Sequence, residues 1–280
     1  MTILGAIFLP QNPPESLRDV ARAADEAGLE ELWLWEDCFL NGGVSAAAAA
    51  LAWTDNLRLG IGIMPVPFRN VALCAMEIAT LRRMFGDRAL PGVGHGVQEW
   101  MGQVGVRAAS PLTLLREYAS ALQSLLHGET VTVDGRYVRL DAVKLDWPPT
   151  PAPELYVAAT GPKTLALAGD VGDGTVLSGG TSPEGVAAAK RQIAAPGPHE
   201  IAVFVPAATG ADAPARLAEA AAEYRQEYAG LAGTPAEIAA GVREFAAAGA
   251  TRVILQPLPD EPSPERYVRF VAEEIRPLVG

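Results

Sequence analysis

The chain is poor in several things. Two cysteines, Cys38 and Cys74, stand among 280 residues. That is too few for a disulfide framework, so a reducing compartment is expected. Three histidines, His95, His127 and His199, show no metal-ligand spacing, which argues against a metal centre. Basic residues number 22 against 33 acidic ones, the formal charge is −11, and no basic stripe is present. Nucleic acid is therefore not an expected partner. No apolar run is long enough to span a membrane. The opening "MTILGAIFLPQNPP" lacks a basic stretch and breaks at prolines, unlike a secretory signal. The expected setting is cytoplasmic.

Apolar residues are plentiful. They make up 49% of the chain, enough for one large core. They are gathered in eight short runs: residues 3–9, "ELWLWED", residues 57–66, "RALPGVGH", "ELYVAAT", "GTVLSGG", "HEIAVFVPA" and "TRVILQP". Helical spacing follows the runs, as at Leu17, Val20, Ala21 and Ala24. Helix starts are marked by Ser110-Pro111, Gly161-Pro162 and the cap Thr234-Pro235-Ala236-Glu237. Eight such units fill residues 1–280 without a compositional break. They predict a single-domain α/β protein, a (β/α)₈ TIM barrel, rather than an open sheet with a helical tail. One interruption, "ETVTVDGRYVRLD", reads as a β-hairpin turning at Asp134-Gly135, inserted after the fourth βα unit.

Barrel enzymes keep their sites at the C-terminal ends of the strands. Strand two ends in Glu36 and Asp37. Adjacent strand residues face opposite ways, so these two acids cannot share one job, and a helix cap is the plain alternative for Glu36. Strand three carries Gly60 and Gly62 before two prolines, a pattern suited to a bulge or a close approach to backbone. Strand four ends in Gly92, Gly94 and Gly96. Their spacing is Gly-x-Gly-x-Gly, and no acidic residue ends a strand about twenty positions later, so a dinucleotide fingerprint is not read here. A flat ligand against the backbone fits better, with Gly92 relieving crowding deeper down. The Gly161-Pro162 helix start is a ready anion site, with phosphate the usual guest. Asp37, Cys38 and His95 are the candidate proton donors. His95 reads equally as a structural histidine, and Cys38 as a small buried hydrophobe.

The stretches "LWEDCF", "LRLGIGIMPVPFRN", "GDRALPGVGHGVQEWMGQVG", "VAATGPKTLALAGDVGDGTVL" and "GTPAEIAAGVREFAAAGATRVIL" resemble, in order and spacing, the luciferase-like flavin-dependent oxidoreductases. More narrowly they are similar to the branch that uses the deazaflavin coenzyme F420. The resemblance implies a hydride transfer between F420 and a small organic substrate, in a homodimer. An FMN-dependent monooxygenase and a non-catalytic flavin-binding barrel are the alternatives. It also implies where the ring lies: across the barrel mouth, backed by a strand-three bulge with a cis peptide at Gly62-Ile63 and Met64 beside it. A side chain at position 62 is then expected to intrude on the back of the ring. Asp37 is implied near the ring, with Gly94, His95, Gly96 and Val97 bordering it, and Ala158, Ala159, Thr160 and Gly161 around the phosphate. The family's sugar-phosphate dehydrogenases carry a histidine, a tryptophan and a glutamate where this chain has Cys38, Gly42 and Val97. Sugar-phosphate oxidation is therefore not expected.

Overall fold

A computed structural model describes residues 2–223 and 225–280. In chain order the strands are β1 (Ile3–Ile7), β2 (Glu31–Leu34), β3 (Arg58–Pro65), β4 (Ala89–Gly94), β5 (Val131–Asp134), β6 (Arg139–Val143), β7 (Tyr156–Ala158), β8 (Gly174–Leu177), β9 (Glu200–Ala208), β10 (Leu231–Ala232) and β11 (Arg252–Gln256). The helices are α1 (Leu17–Glu26), α2 (Gly43–Trp53), α3 (Val71–Phe85), α4 (Gln98–Gln103), α5 (Pro111–Leu126), α6 (Pro162–Val171), α7 (Pro183–Ile193), α8 (Ala213–Glu223), α9 (Pro235–Ala248), α10 (Pro264–Phe270) and α11 (Arg276–Val279). Each of the eight apolar runs is a strand. They pair in parallel in the order β1, β2, β3, β4, β7, β8, β9, β11, and β11 returns to β1. The result is a closed (β/α)₈ barrel. No helix among the described residues is long and apolar enough to cross a membrane.

Alternation along the strands divides the core. One set of side chains, including Leu4, Leu32, Leu59 and Val253, packs outward against the helices. The other set fills the barrel: Ile7, Trp33, Leu90, Tyr156, Val176, Phe204 and Ile254. Trp33 is central to that filling, with ring centroids 5.6 Å from both Tyr156 and Phe204 in edge-on contacts. Below the aromatic layer, Glu31 is fully buried and accepts hydrogen bonds from Trp33 Nε1 at 2.8 Å, Arg252 Nε at 3.1 Å and Arg58 Nη1 at 3.1 Å. Arg252 also pairs with Glu200. The lower end of the barrel is thus closed by a paired network and the upper end is left for a ligand.

Local chemistry agrees with the helix boundaries. Thr234 and Glu237 form the reciprocal cap of α9. The hairpin lies where expected, but its turn differs. Asp134 pairs with Arg139, so residues 135–138 form a four-residue loop rather than a two-residue turn. The cause lies outside the hairpin. The Glu117 carboxylate on α5 accepts hydrogen bonds from the amides of Arg136, Tyr137 and Val138 at 2.8–3.0 Å, and these hold its pKa below the usual range against burial.

Candidate active site

At the C-terminal ends of the strands a cavity of about 550 Å³ opens, a volume suited to a small ligand or cofactor. It is built from strand ends taken in order around the barrel. After β2 come Trp35, Glu36 and Asp37. The Glu36 carboxylate is held by Arg69 at 2.7 and 2.8 Å and accepts the amide of Gly43, the first residue of α2, at 2.9 Å. Its charge is spent on joining two strand-to-helix connections. Asp37 makes no such pair and lines the cavity. Burial pushes its carboxyl above the usual carboxylate range. The neighbouring Trp35 pulls weakly the other way, but its indole Nε1 makes no hydrogen bond of good geometry and stays buried without a partner.

β3 breaks its pairing with β4 between Ile61 and Met64, and the peptide between Gly62 and Ile63 is cis. Both residues line the cavity. The bulge is where the sequence places it, and packing gives the glycine a reason of its own. A Cβ on Gly62 would lie 2.8 Å from Phe204 Cζ and 2.9 Å from Trp33 Cε3. The missing side chain therefore makes room for the aromatic filling of the barrel. Met64 does not line the cavity. It is 1% exposed and packs between β3 and the helix layer, because the bulge leaves its side chain on the outer face.

From the end of β4, His95, Gly96 and Val97 reach the cavity. Gly94 sits one level below, where a Cβ would meet Ile63 Cγ1 at 3.0 Å and Ala158 Cβ at 3.2 Å. Gly92 is deeper still, and a Cβ there would lie 2.6 Å from the Ile61 carbonyl oxygen. His95 Nε2 is 3.4 Å from Thr164 Oγ1, and its Nδ1 is buried with no partner. Burial lowers the His95 pKa, with a smaller opposing pull from the Pro111 backbone, so the ring is neutral at neutral pH.

After β7, Ala158, Ala159 and Thr160 line the cavity and Gly161 does not. Gly161 is the N-cap of α6 with Pro162 at the first helical position, and the space beside its Cα holds no other atom within 4 Å. Cys38 also stays off the lining. Burial, then the charges of Asp37 and Glu36, pushes its thiol up, so it is a protonated neighbour of the site. The peptide from Cys38 to Phe39 is a second cis bond.

Among the lining residues not singled out from sequence are Trp35, Phe204, Gln226 and Gln256. Trp35 was visible as the strand-two residue on the same face as Trp33 and Asp37. Gln256 was visible as the polar residue ending strand eight. Gln226 lies in irregular backbone between α8 and β10, where no period marks a face.

A closed (β/α)₈ barrel whose cavity is lined by strand-end acid, imidazole, amide and aromatic groups has the build of a barrel enzyme. The particular family follows from comparison. Residues 4–232 match the luciferase-like monooxygenases, and the chain belongs to that family. It is 32% identical over 238 residues to a 5,10-methylenetetrahydromethanopterin reductase of Methanolobus tindarius, covering 82% of this chain and 72% of that protein. It is 34% identical over 186 residues to an F420-dependent glucose-6-phosphate dehydrogenase of Kineococcus radiotolerans, covering 61% of this chain and 54% of that protein. An F420-dependent secondary alcohol dehydrogenase, solved with an F420–acetone adduct, shares the fold with a TM-score of 0.85 at 21% identity, covering 100% of this chain and 99% of that one.

Proposed function

We propose that the chain is an F420-dependent oxidoreductase that transfers hydride between the deazaflavin and a small organic substrate. The observation that carries this is the bulged Gly62-Ile63 wall, which faces a cavity of about 550 Å³ in a chain related to F420-dependent enzymes. The residues fit such a group. Trp35 Nε1 and His95 Nδ1 are buried polar atoms without partners beside the cavity, and such atoms are costly unless a bound molecule or water satisfies them. When bound, the deazaflavin supplies a ring carbon that gives or takes a hydride.

The chain's own residues supply the rest. Ile63, Gly96 and Val97 offer an apolar floor and border for a ring. Thr160, Gly161 and Lys163 would receive its phosphate: Pro162 opens α6, the first amides of a helix lack intrahelical partners, and the helix dipole favours an anion there. Asp37 is the group suited to holding and releasing a proton, since burial favours its protonated form.

The test is a titration of the protein with F420 and with FMN, followed by absorbance. Micromolar or tighter F420 affinity with weaker FMN binding is expected. Comparable or tighter FMN affinity would reverse the assignment.

A further inference from the structure

The cavity wall changes character around the barrel. The half built by β2, β3, β4 and β7 holds the groups assigned above. The other half, over β8, β9 and β11, is mostly apolar: Ala220 and Ala221 of α8, Ala229, Phe204 and Leu258 line it, with Ser178 at the end of β8. Among the described residues no lysine or arginine lines either half. Arg225, beside Gln226, is exposed and outside the lining. Among the described residues the carboxyl groups on the wall are those of Asp37 and Glu36, and Glu36 is neutralised by Arg69. His95 is the remaining basic group, and its burial keeps it neutral.

Two amides are set in this apolar half. Both approach Gly179: a Cβ at that residue would lie 3.1 Å from Gln226 Nε2 and 3.5 Å from Gln256 Oε1. The stem of Gln226 covers Gly180, whose φ of +87° and close contact at 2.8 Å leave no room for a side chain. The backbone amide of Gln226 bonds to the Ala221 carbonyl at 2.8 Å, which anchors the residue to the end of α8. Neither glutamine side chain has a hydrogen-bond partner among the described residues, so each keeps donors and an acceptor free for a ligand.

We infer that Gln226 and Gln256 are a specificity-determining pair for an uncharged substrate, an apolar skeleton carrying a carbonyl or hydroxyl oxygen, and that anionic substrates are refused. This rests on the oxidoreductase reading above. A phosphate or carboxylate on this wall would lose its water and gain no counter-cation. A neutral oxygen loses far less, and either amide can donate to it. A site with free amides also rejects a plain hydrocarbon, because the amides would then be buried unpaired.

The experiment is a binding measurement on the F420-loaded protein, by calorimetry and saturation-transfer NMR. The probes are cyclohexanone, its ring-carboxylated analogue and glucose 6-phosphate. F420 affinity is read by absorbance in parallel. Cyclohexanone is expected to bind, and both anionic probes to bind at least about tenfold more weakly. Gln226→Leu and Gln256→Leu keep the side-chain volume and are expected to weaken cyclohexanone by about tenfold each with F420 affinity unchanged. Gln256→Lys is expected to gain affinity for the carboxylated probe. Anionic probes binding as tightly as the ketone would overturn the inference, as would no ketone binding at millimolar concentration or Leu variants that bind it like the parent. The parent protein alone decides the first two outcomes, whatever the variants' stability. Failure of the parent to bind F420, with the discrimination between probes seen in the F420-free protein, would instead overturn the cofactor assignment.

Discussion

The indole of Trp33 occupies the place where Gly60 would carry a side chain: a Cβ at position 60 would fall on Trp33 Cδ2 and Cε2. The ring has nowhere to move, since Glu31 holds its Nε1 and Tyr156 and Phe204 pack on it. Gly60→Ala is therefore expected to destabilise the fold by about 3 kcal/mol or more, at or above the upper end for overpacked cores. Gly62→Ala, with its closest contacts at 2.8 and 2.9 Å, is expected to cost less. Urea denaturation of both variants checks the order.

The pairing of Arg252 with Glu31 supports a second prediction. Arg252 is 4% exposed and Glu31 0%. Arg252→Met removes the guanidinium and leaves a buried carboxylate with Arg58 and Trp33 alone. A loss of about 3–5 kcal/mol is expected, the usual cost of breaking a buried pair from one side. Chemical denaturation at neutral pH measures it.

Gly161→Asp addresses the phosphate site. The open space at Gly161 and its φ of −90° admit a side chain without strain. The fold is expected to keep its stability, while the added carboxylate repels an anion at the start of α6. F420 affinity is expected to fall by about tenfold or more. An F420 titration beside a melting curve separates the two effects, and unchanged affinity would place the phosphate elsewhere.

Asp37→Asn separates chemistry from stability. The folded state binds the Asp37 proton more tightly than the unfolded chain does, because burial raises its pKa. Stability from this group is complete below the ordinary carboxylate pKa and is lost as pH rises through the folded value. The amide has no such loss, so the variant is expected to be relatively more stable at neutral pH than in acid. Its turnover is expected to drop by about 10²–10⁴-fold, the range for a removed proton donor. Melting temperatures across pH, with turnover of reduced F420, read both.

His95 titrates in the opposite sense. Burial lowers its pKa, so the unfolded chain binds the proton more tightly, and stability falls as pH drops through the ordinary histidine value. His95→Gln is expected to show less acid sensitivity. NMR titration of the imidazole is expected to place its midpoint below that of a free histidine.

The sequence by itself determined the eight strands and their order, since each strand is a short apolar run that needs a helix to cover its outer face. It also pointed to the strand ends, where the cavity lies, and it separated Glu36 from Asp37, because neighbouring strand residues must face opposite ways. Tertiary structure decided what no local pattern holds. Gly60 and Gly62 are glycines because Trp33 and Phe204, distant in sequence, press into the space where their side chains would stand. The hairpin loop has four residues because Glu117 on another element satisfies its amides. Met64 faces outward because the bulge reset its register. Gln226 and Gln256, thirty residues apart, became neighbours only when barrel closure brought the end of α8 over β11. Periodicity records which face of an element is buried; which atoms then meet across the barrel depends on closure, and closure joins residues whose separation in the chain carries no signal.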